Sequence, residues 1–154
     1  MNDTPDYGST ENHVGFQIHL TWRAIRKLLL ESERGNEPKV SRGIWSVPIL
    51  ISLNPGITPQ ELARALHLDA SKVALLLRSL EADDLVRRSP LPTDRRKVVL
   101  TLTETGEQFA RDALRRTEAM EQPVTGAITD EERAELVRIL TKIRRAAPAG
   151  QDVA

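Results

Sequence analysis

The run Asn54–Arg96, NPGITPQELARALHLDASKVALLLRSLEADDLVRRSPLPTDRR, constrains the fold most, because its helix and turn signals come in a fixed order at short spacing. Thr58 is placed to cap a helix, Pro59 takes its first position, and Glu61 completes a capping box three residues on. That helix is expected to end near Leu66, and HLD (67–69) makes a tight turn in which Asp69 caps a second helix over 70–82. Val73, Leu76, Leu77 and Leu80 supply the second helix's buried stripe and leave Ser71, Lys72, Ala74, Leu75 and Arg78 on its other faces. Two helices joined this tightly, the second presenting small and basic side chains, fit a helix-turn-helix. Short helix pairs are common in any helical protein, so the segment that follows matters.

LVRR and KVVLTL read as two short strands, with Val98, Leu100 and Leu102 on one face, joined by SPLPTDRR. Two prolines and Asp94 make that connector a turn. A helix-turn-helix followed at once by a hairpin is a winged helix, expected here over about 55–103.

Charge has to be read by position. Lys plus Arg total 22 and Asp plus Glu total 22, so the whole chain offers no polycation argument for nucleic acid. Within the hairpin, however, Arg87, Arg88, Arg95, Arg96 and Lys97 are opposed only by Asp94. The plain alternative is a solvated loop.

The flanks are helical. Val14, Ile18, Trp22, Ile25 and Leu29 recur at helical spacing, predicting an amphipathic helix over 14–34. A second helix is expected over about 41–53, with Pro48 inside it and therefore kinked. After LTETG, a helix over about 104–122 carries Ala110, Ala113, Thr117 and Met120 on one stripe. Thr129 and Glu132 frame a second capping box for a last helix ending near 146, lined by Leu136, Ile139, Leu140 and Ile143. Long amphipathic helices at both ends of so short a chain need a partner to bury them, and a second copy is the simplest. Residues 1–12 read as a disordered arm and 148–154 as a flexible tail, leaving one domain over 13–147.

Several function classes are excluded. Cysteine is absent, which removes disulfides, thiol catalysis and cysteine-ligated metals. No pair of histidines stands at metal-ligand spacing and no glycine loop could cradle phosphate, so neither an enzyme nor a cofactor is expected. His13, His19 and His67 are scattered, and His67 falls in the helix-turn-helix turn. IWSVPILISL is about half the ~20 residues a bilayer span requires. With no secretory leader either, a cytoplasmic protein without membrane association is expected.

The whole arrangement resembles the MarR (multiple antibiotic resistance regulator) family, and DRR at 94–96 followed by LTETG is its most diagnostic piece. The resemblance covers roughly residues 14–146 and implies a mainly α fold with a small β-wing. In it, a winged helix-turn-helix is flanked by dimerisation helices, here about 14–34 and 104–146. The implied function is a homodimeric transcriptional repressor on a pseudo-palindromic double-stranded operator. Ser71 and Lys72 would then face the major groove, with Arg78 on the DNA backbone. Arg96 would enter the minor groove, Asp94 would orient the Arg96 guanidinium, and Arg88 and Arg95 would reach phosphates. Two departures stand out. Asp84 occupies a position where the family has glycine, so a left-handed aspartate is expected there. Ala74 and Leu75 make the recognition helix unusually apolar, and Leu75 is suited to a thymine methyl.

The family resemblance also implies an effector. Phe16, His19, Trp22 and Arg23, with Trp45 on the second helix, would suit a small aromatic ligand bearing a phenolate or carboxylate. NPGIT and the helix-two aromatic are similar to the branch that controls aromatic catabolism. That branch implies a phenolic acid, an aldehyde or a coenzyme A thioester. The competing readings are tryptophans that are simply core, a ligand-independent or drug-responsive regulator of efflux or stress genes, and a winged-helix protein-interaction module.

Overall fold

In the computed structural model, the described residues are 5–32, 45–91 and 93–146; the side chains of residues 28–32, 120–122 and 124, Leu29 and Met120 among them, fall outside that description. The chain divides into two compact units, Met1–Glu37 and Pro38–Ala154. The first holds a 3-10 helix, Gly8–Asn12, and helix α1, Val14–Ser32. This 3-10 helix falls within the arm read from sequence as residues 1–12. Asp6 accepts a bond from the Gly8 N–H (2.7 Å), and Tyr7 meets Phe16 edge to face with centroids 5.7 Å apart. Residues 1–4, 33–44 and 147–154 lie outside the description, and with them the expected tail and the outer ends of the first two helices.

In the second unit the order is α2 (Ser46–Leu53), α3 (Pro59–Leu66), α4 (Ala70–Ala82), β1 (Val86–Leu91), β2 (Asp94–Leu102), α5 (Glu104–Thr125) and α6 (Asp130–Ala146). The capping signals at 58–61, 69 and 129–132 act as expected. Thr58 Oγ1 accepts from the Glu61 N–H, and Glu61 Oε2 accepts from the Thr58 N–H at 2.8 Å. Thr129 and Glu132 repeat the reciprocal pair at 3.2 and 2.8 Å. Pro48 needs no kink: it is the third residue of α2, in a first turn whose N–H groups have no intrahelical acceptor anyway. Helix α5 runs past the expected end to Thr125, through Pro123, where a proline removes one backbone bond close to the terminus.

The strands form an antiparallel pair with Val86 opposite Leu102, Arg88 opposite Leu100 and Pro90 opposite Val98; the register slips after Pro90. The core gathers α2 (Val47, Ile51), α3 (Leu62, Ala63), α4 (Val73, Leu77, Leu80) and the hairpin root (Leu85, Val86, Leu100). The expected single buried face of β2 holds only at its root. Leu100 is fully buried, Val98 is exposed, and Val99 is buried on the opposite face, because α2, α3 and α5 all pack against this strand. Beside β2 runs the segment before α3, with the Gly56 N–H on the Leu100 carbonyl (3.1 Å) and the Leu100 N–H on the Ile57 carbonyl (2.9 Å).

The LTETG motif has a physical reason. Thr103, nearly fully buried, donates its hydroxyl to the Asp84 carbonyl (2.5 Å) and accepts the Gly106 N–H (2.9 Å). It therefore caps α5 and fastens the end of β2 to the end of α4. Asp84 is left-handed, φ 53°, as expected. A Cβ on Gly106 would sit 1.9 Å from the Leu85 carbonyl oxygen, so no larger residue fits this crossing.

Candidate nucleic-acid interface

Helix α4 buries Val73, Leu77 and Leu80 and turns the opposite side outward. Ser71, Leu75, Arg78 and Ala82 lie along that outer stripe at spacings of three and four, with Lys72 on its flank. Leu75 is 64% exposed, an apolar side chain held in water at the centre of the helix. Arg78 rests its Nε on the Ala74 carbonyl at 3.4 Å.

The start of α4 is held by Asp69. Its Oδ1 accepts from the Lys72 N–H (2.7 Å) and the Ser71 hydroxyl (2.6 Å), and its Oδ2 pairs with Lys72 Nζ at 2.8 Å. The bonds from Lys72 and Ser71 hold the Asp69 carboxyl well below the usual carboxylate range. His67, in the preceding turn, is left-handed (φ 51°), and its N–H closes α3 on the Ala63 and Arg64 carbonyls. Its place is structural, in a conformation that histidine tolerates better than most residues.

In the wing, Arg95, Arg96 and Lys97 are exposed. Asp94 makes a different bond from the one expected: its Oδ1 accepts the backbone N–H of Arg96 at 3.1 Å, not a guanidinium. A carboxylate two residues before an amide closes a local turn with almost no entropy cost, whereas a guanidinium on a long stem must be ordered first. The effect is to shape the tip and leave the Arg96 side chain projecting. Arg88 differs too. Its Nε lies 2.7 Å from Glu81 Oε1, both side chains about one-third exposed, so it bridges the wing root to α4 instead of standing free.

Tertiary pairing adds residues that no local pattern singled out. Because Gly56 and Ile57 bond to Leu100, the start of α3 lies against β2. A groove of about 510 Å³ opens between them, with Arg64 and Gln60 on one side and Arg96 and Lys97 on the other. Glu61 also lines it, and the Thr58 backbone and hydroxyl, together with Arg64 and Lys97, keep its carboxyl below the ordinary value. A basic cluster at 95–97 was visible in sequence; its pairing with Arg64 was not, since more than thirty residues separate them.

The expected effector residues divide between the two units. Phe16, His19, Trp22 and Arg23 share one side of α1, with His19 and Trp22 three apart and His19 and Arg23 four apart. Trp22 is 52% exposed and Phe16 is half-buried against Tyr7. Trp45 belongs to the second unit, half-buried at the residue before α2 and not within the helix. Among the described residues, no group of histidine and carboxylate side chains has metal-site geometry, and no helix is long and apolar enough to cross a membrane.

Comparison with known proteins agrees with this geometry. The MarR family profile matches residues 45–98, from Trp45 through helices α2 to α4 into the wing. The HTH-type transcriptional repressor NicR of Pseudomonas putida is 30% identical over 144 residues, 93% of this chain and 88% of its own. The crystal structure of a mutant MarR from E. coli, complexed with operator DNA, superposes with a TM-score of 0.73 at 26% identity, covering 90% of this chain and 99% of that one. The regulator BpsR of Bordetella bronchiseptica, solved to explain regulation of its DNA binding by 6-hydroxynicotinic acid, shares the fold with a TM-score of 0.78 at 22% identity, over 93% and 100% of the two chains. With a capped helix pair, a basic wing and these likenesses along nearly its whole length, the chain belongs to the MarR family of transcriptional regulators and carries its winged-helix DNA-binding fold.

Proposed function

We propose that the protein is a sequence-specific double-stranded DNA-binding repressor, not an enzyme, acting in the cytoplasm as a homodimer without a cofactor. The observation that carries this reading is the exposed basic tip of the wing, Arg95, Arg96 and Lys97, borne on the hairpin that directly follows α4. Helix α4 enters the major groove with Ser71 and Lys72 leading and Arg78 on the backbone. Arg96 enters the minor groove, Arg95 reaches phosphate, and Asp94 sets the turn. Arg88 contributes to phosphate binding only when it leaves Glu81. The operator complex of the E. coli relative supports this docking.

Dimerisation is supported by apolar surface. On α6, Leu136, Val137, Ile139, Leu140 and Ile143 are all 38–58% exposed; on α1, Val14 and Ile18 are 60% and 41% exposed. Monomers rarely leave such runs in water. A second copy covers them and sets two recognition helices about one DNA turn, roughly 10 base pairs, apart. Residues 13–147 then act as one domain between the N-terminal arm and the tail.

The effector in this reading is a small aromatic acid, aldehyde or coenzyme A thioester from aromatic catabolism. Its candidate contacts are Phe16, His19, Trp22 and Arg23 on α1 of the first unit and, taken by itself, Trp45 of the second, and its binding releases the operator. The similarity to BpsR, whose DNA binding responds to a hydroxylated aromatic acid, supports this class.

The test is a gel-shift titration on a duplex that the protein selects from a random pool. Arg96→Ala is expected to weaken binding at least about tenfold while leaving melting and dimer mass unchanged. Unchanged affinity removes the wing from the mechanism. A panel of aromatic acids that neither releases the duplex nor quenches tryptophan removes the effector.

A further inference from the structure

The N-cap of α4 does more than a cap requires. One contact, from the Lys72 N–H to Asp69 Oδ1, satisfies the helix start, and a neutral asparagine or serine would serve equally well. The other two contacts reach forward and take the Ser71 hydroxyl and the Lys72 ammonium, the two leading polar groups of the outward stripe. The Lys72 side chain is 69% exposed and that of Asp69 29%, so the pair sits at the surface that meets DNA and not in the core. The same hydrogen bonds hold this carboxyl below the ordinary carboxylate range.

A fixed carboxylate at such a place opposes phosphate on any duplex, and it occupies the lysine that would otherwise attract phosphate irrespective of sequence. Discrimination between partners is a difference of affinities, and it rises when the weaker partner is penalised more than the stronger. On random DNA, Lys72 keeps its bond to Asp69. On a matched site an acceptor in the right place can draw Lys72 and Ser71 across while Asp69 keeps the helix capped.

Resting on the DNA-binding reading above, we propose that Asp69 is a specificity-determining residue: it restrains Lys72 and Ser71 and so suppresses sequence-independent binding by the recognition helix.

Asp69→Asn tests this, because asparagine preserves the cap. The probes are the duplex selected by the wild-type protein and a shuffled duplex of the same composition, titrated by fluorescence anisotropy across a salt series. The variant is expected to bind the shuffled duplex about tenfold tighter at low salt, with a salt slope steeper by about 0.9, the increment of one added phosphate contact. The selected duplex gains less, so the ratio of the two affinities falls. Adding Lys72→Gln to the variant is expected to remove most of the gain and leave only the part due to the lost carboxylate–phosphate repulsion. Asp69→Ser, which also caps, is expected to behave like Asp69→Asn, so a local effect of the amide cannot mimic the result. Unchanged or weaker binding to the shuffled duplex by both variants overturns the proposal, as does a gain that survives at full size without Lys72. A wild-type protein that selects no duplex at all overturns the DNA-binding reading together with this one. Normal selection with an unaltered variant overturns this one alone.

Discussion

Replacing Thr103 by valine removes one hydroxyl and almost no volume, at the point where the wing, the recognition helix and α5 are fastened together. That hydroxyl makes two bonds in a site only 5% exposed, donating to the Asp84 carbonyl and accepting the Gly106 N–H. Loss of the cap costs about 1 kcal/mol. Leaving the Asp84 carbonyl without its partner costs about 1–3 kcal/mol more. The expected loss is therefore about 2–4 kcal/mol, or a fall of about 4–16 °C in Tm for a chain of this size. Thr103→Ser keeps both bonds and gives up one methyl, about 0.8 kcal/mol. Urea unfolding followed by circular dichroism measures both variants, at one protein concentration because self-association feeds into apparent stability. If valine costs no more than serine, the hydroxyl is not what fastens the hairpin root, and the threonine of LTETG has no structural role beyond its methyl group.

Two further predictions follow from the same geometry. Gly106→Ala places a methyl on the Leu85 carbonyl oxygen, 1.9 Å away, and both sides of that contact are backbone; a loss of at least about 3 kcal/mol is expected in the same assay, and a loss near zero refutes the crossing. The carboxyls of Asp69, Glu61 and Glu135 all have folded pKa values below their ordinary ones, through bonds from Lys72, Thr58 and Arg138 respectively. A lowered pKa means stability that is present above the unfolded value and is lost as pH falls through the folded one. Urea midpoints are therefore expected to change little for these groups between about pH 7 and 5 and to fall below about pH 4, where unfolded carboxylates take up protons first. Asp69→Asn removes its share, so its acid decline is shallower, and parallel curves contradict the assignment.

Much of this protein was legible before any coordinates. Thr58 with Glu61, Thr129 with Glu132 and Asp69 at the head of α4 are all decided within about three residues of chain, where side chain and backbone compete for the same hydrogen bonds, whereas the left-handed Asp84 was expected from the family resemblance. Such signals survive in a linear sequence because their partners are neighbours. Burial along α4 was legible for the same reason, since helical spacing alone puts Val73, Leu77 and Leu80 on one side.

The fates of the charged side chains were not. Arg88 could be counted as a wing cation, but its bond to Glu81 depends on how β1 leaves the end of α4. Asp94 chose an amide over a guanidinium once the turn had closed. Arg64 and Lys97 came to line one groove only when Gly56 and Ile57 paired with Leu100. Pro48 lost its expected kink because the helix began just before it. Local propensity thus determined which elements this chain forms and where they start. Tertiary packing decided which charges face one another, because a long charged side chain takes the best partner within reach, and reach is a property of the folded chain.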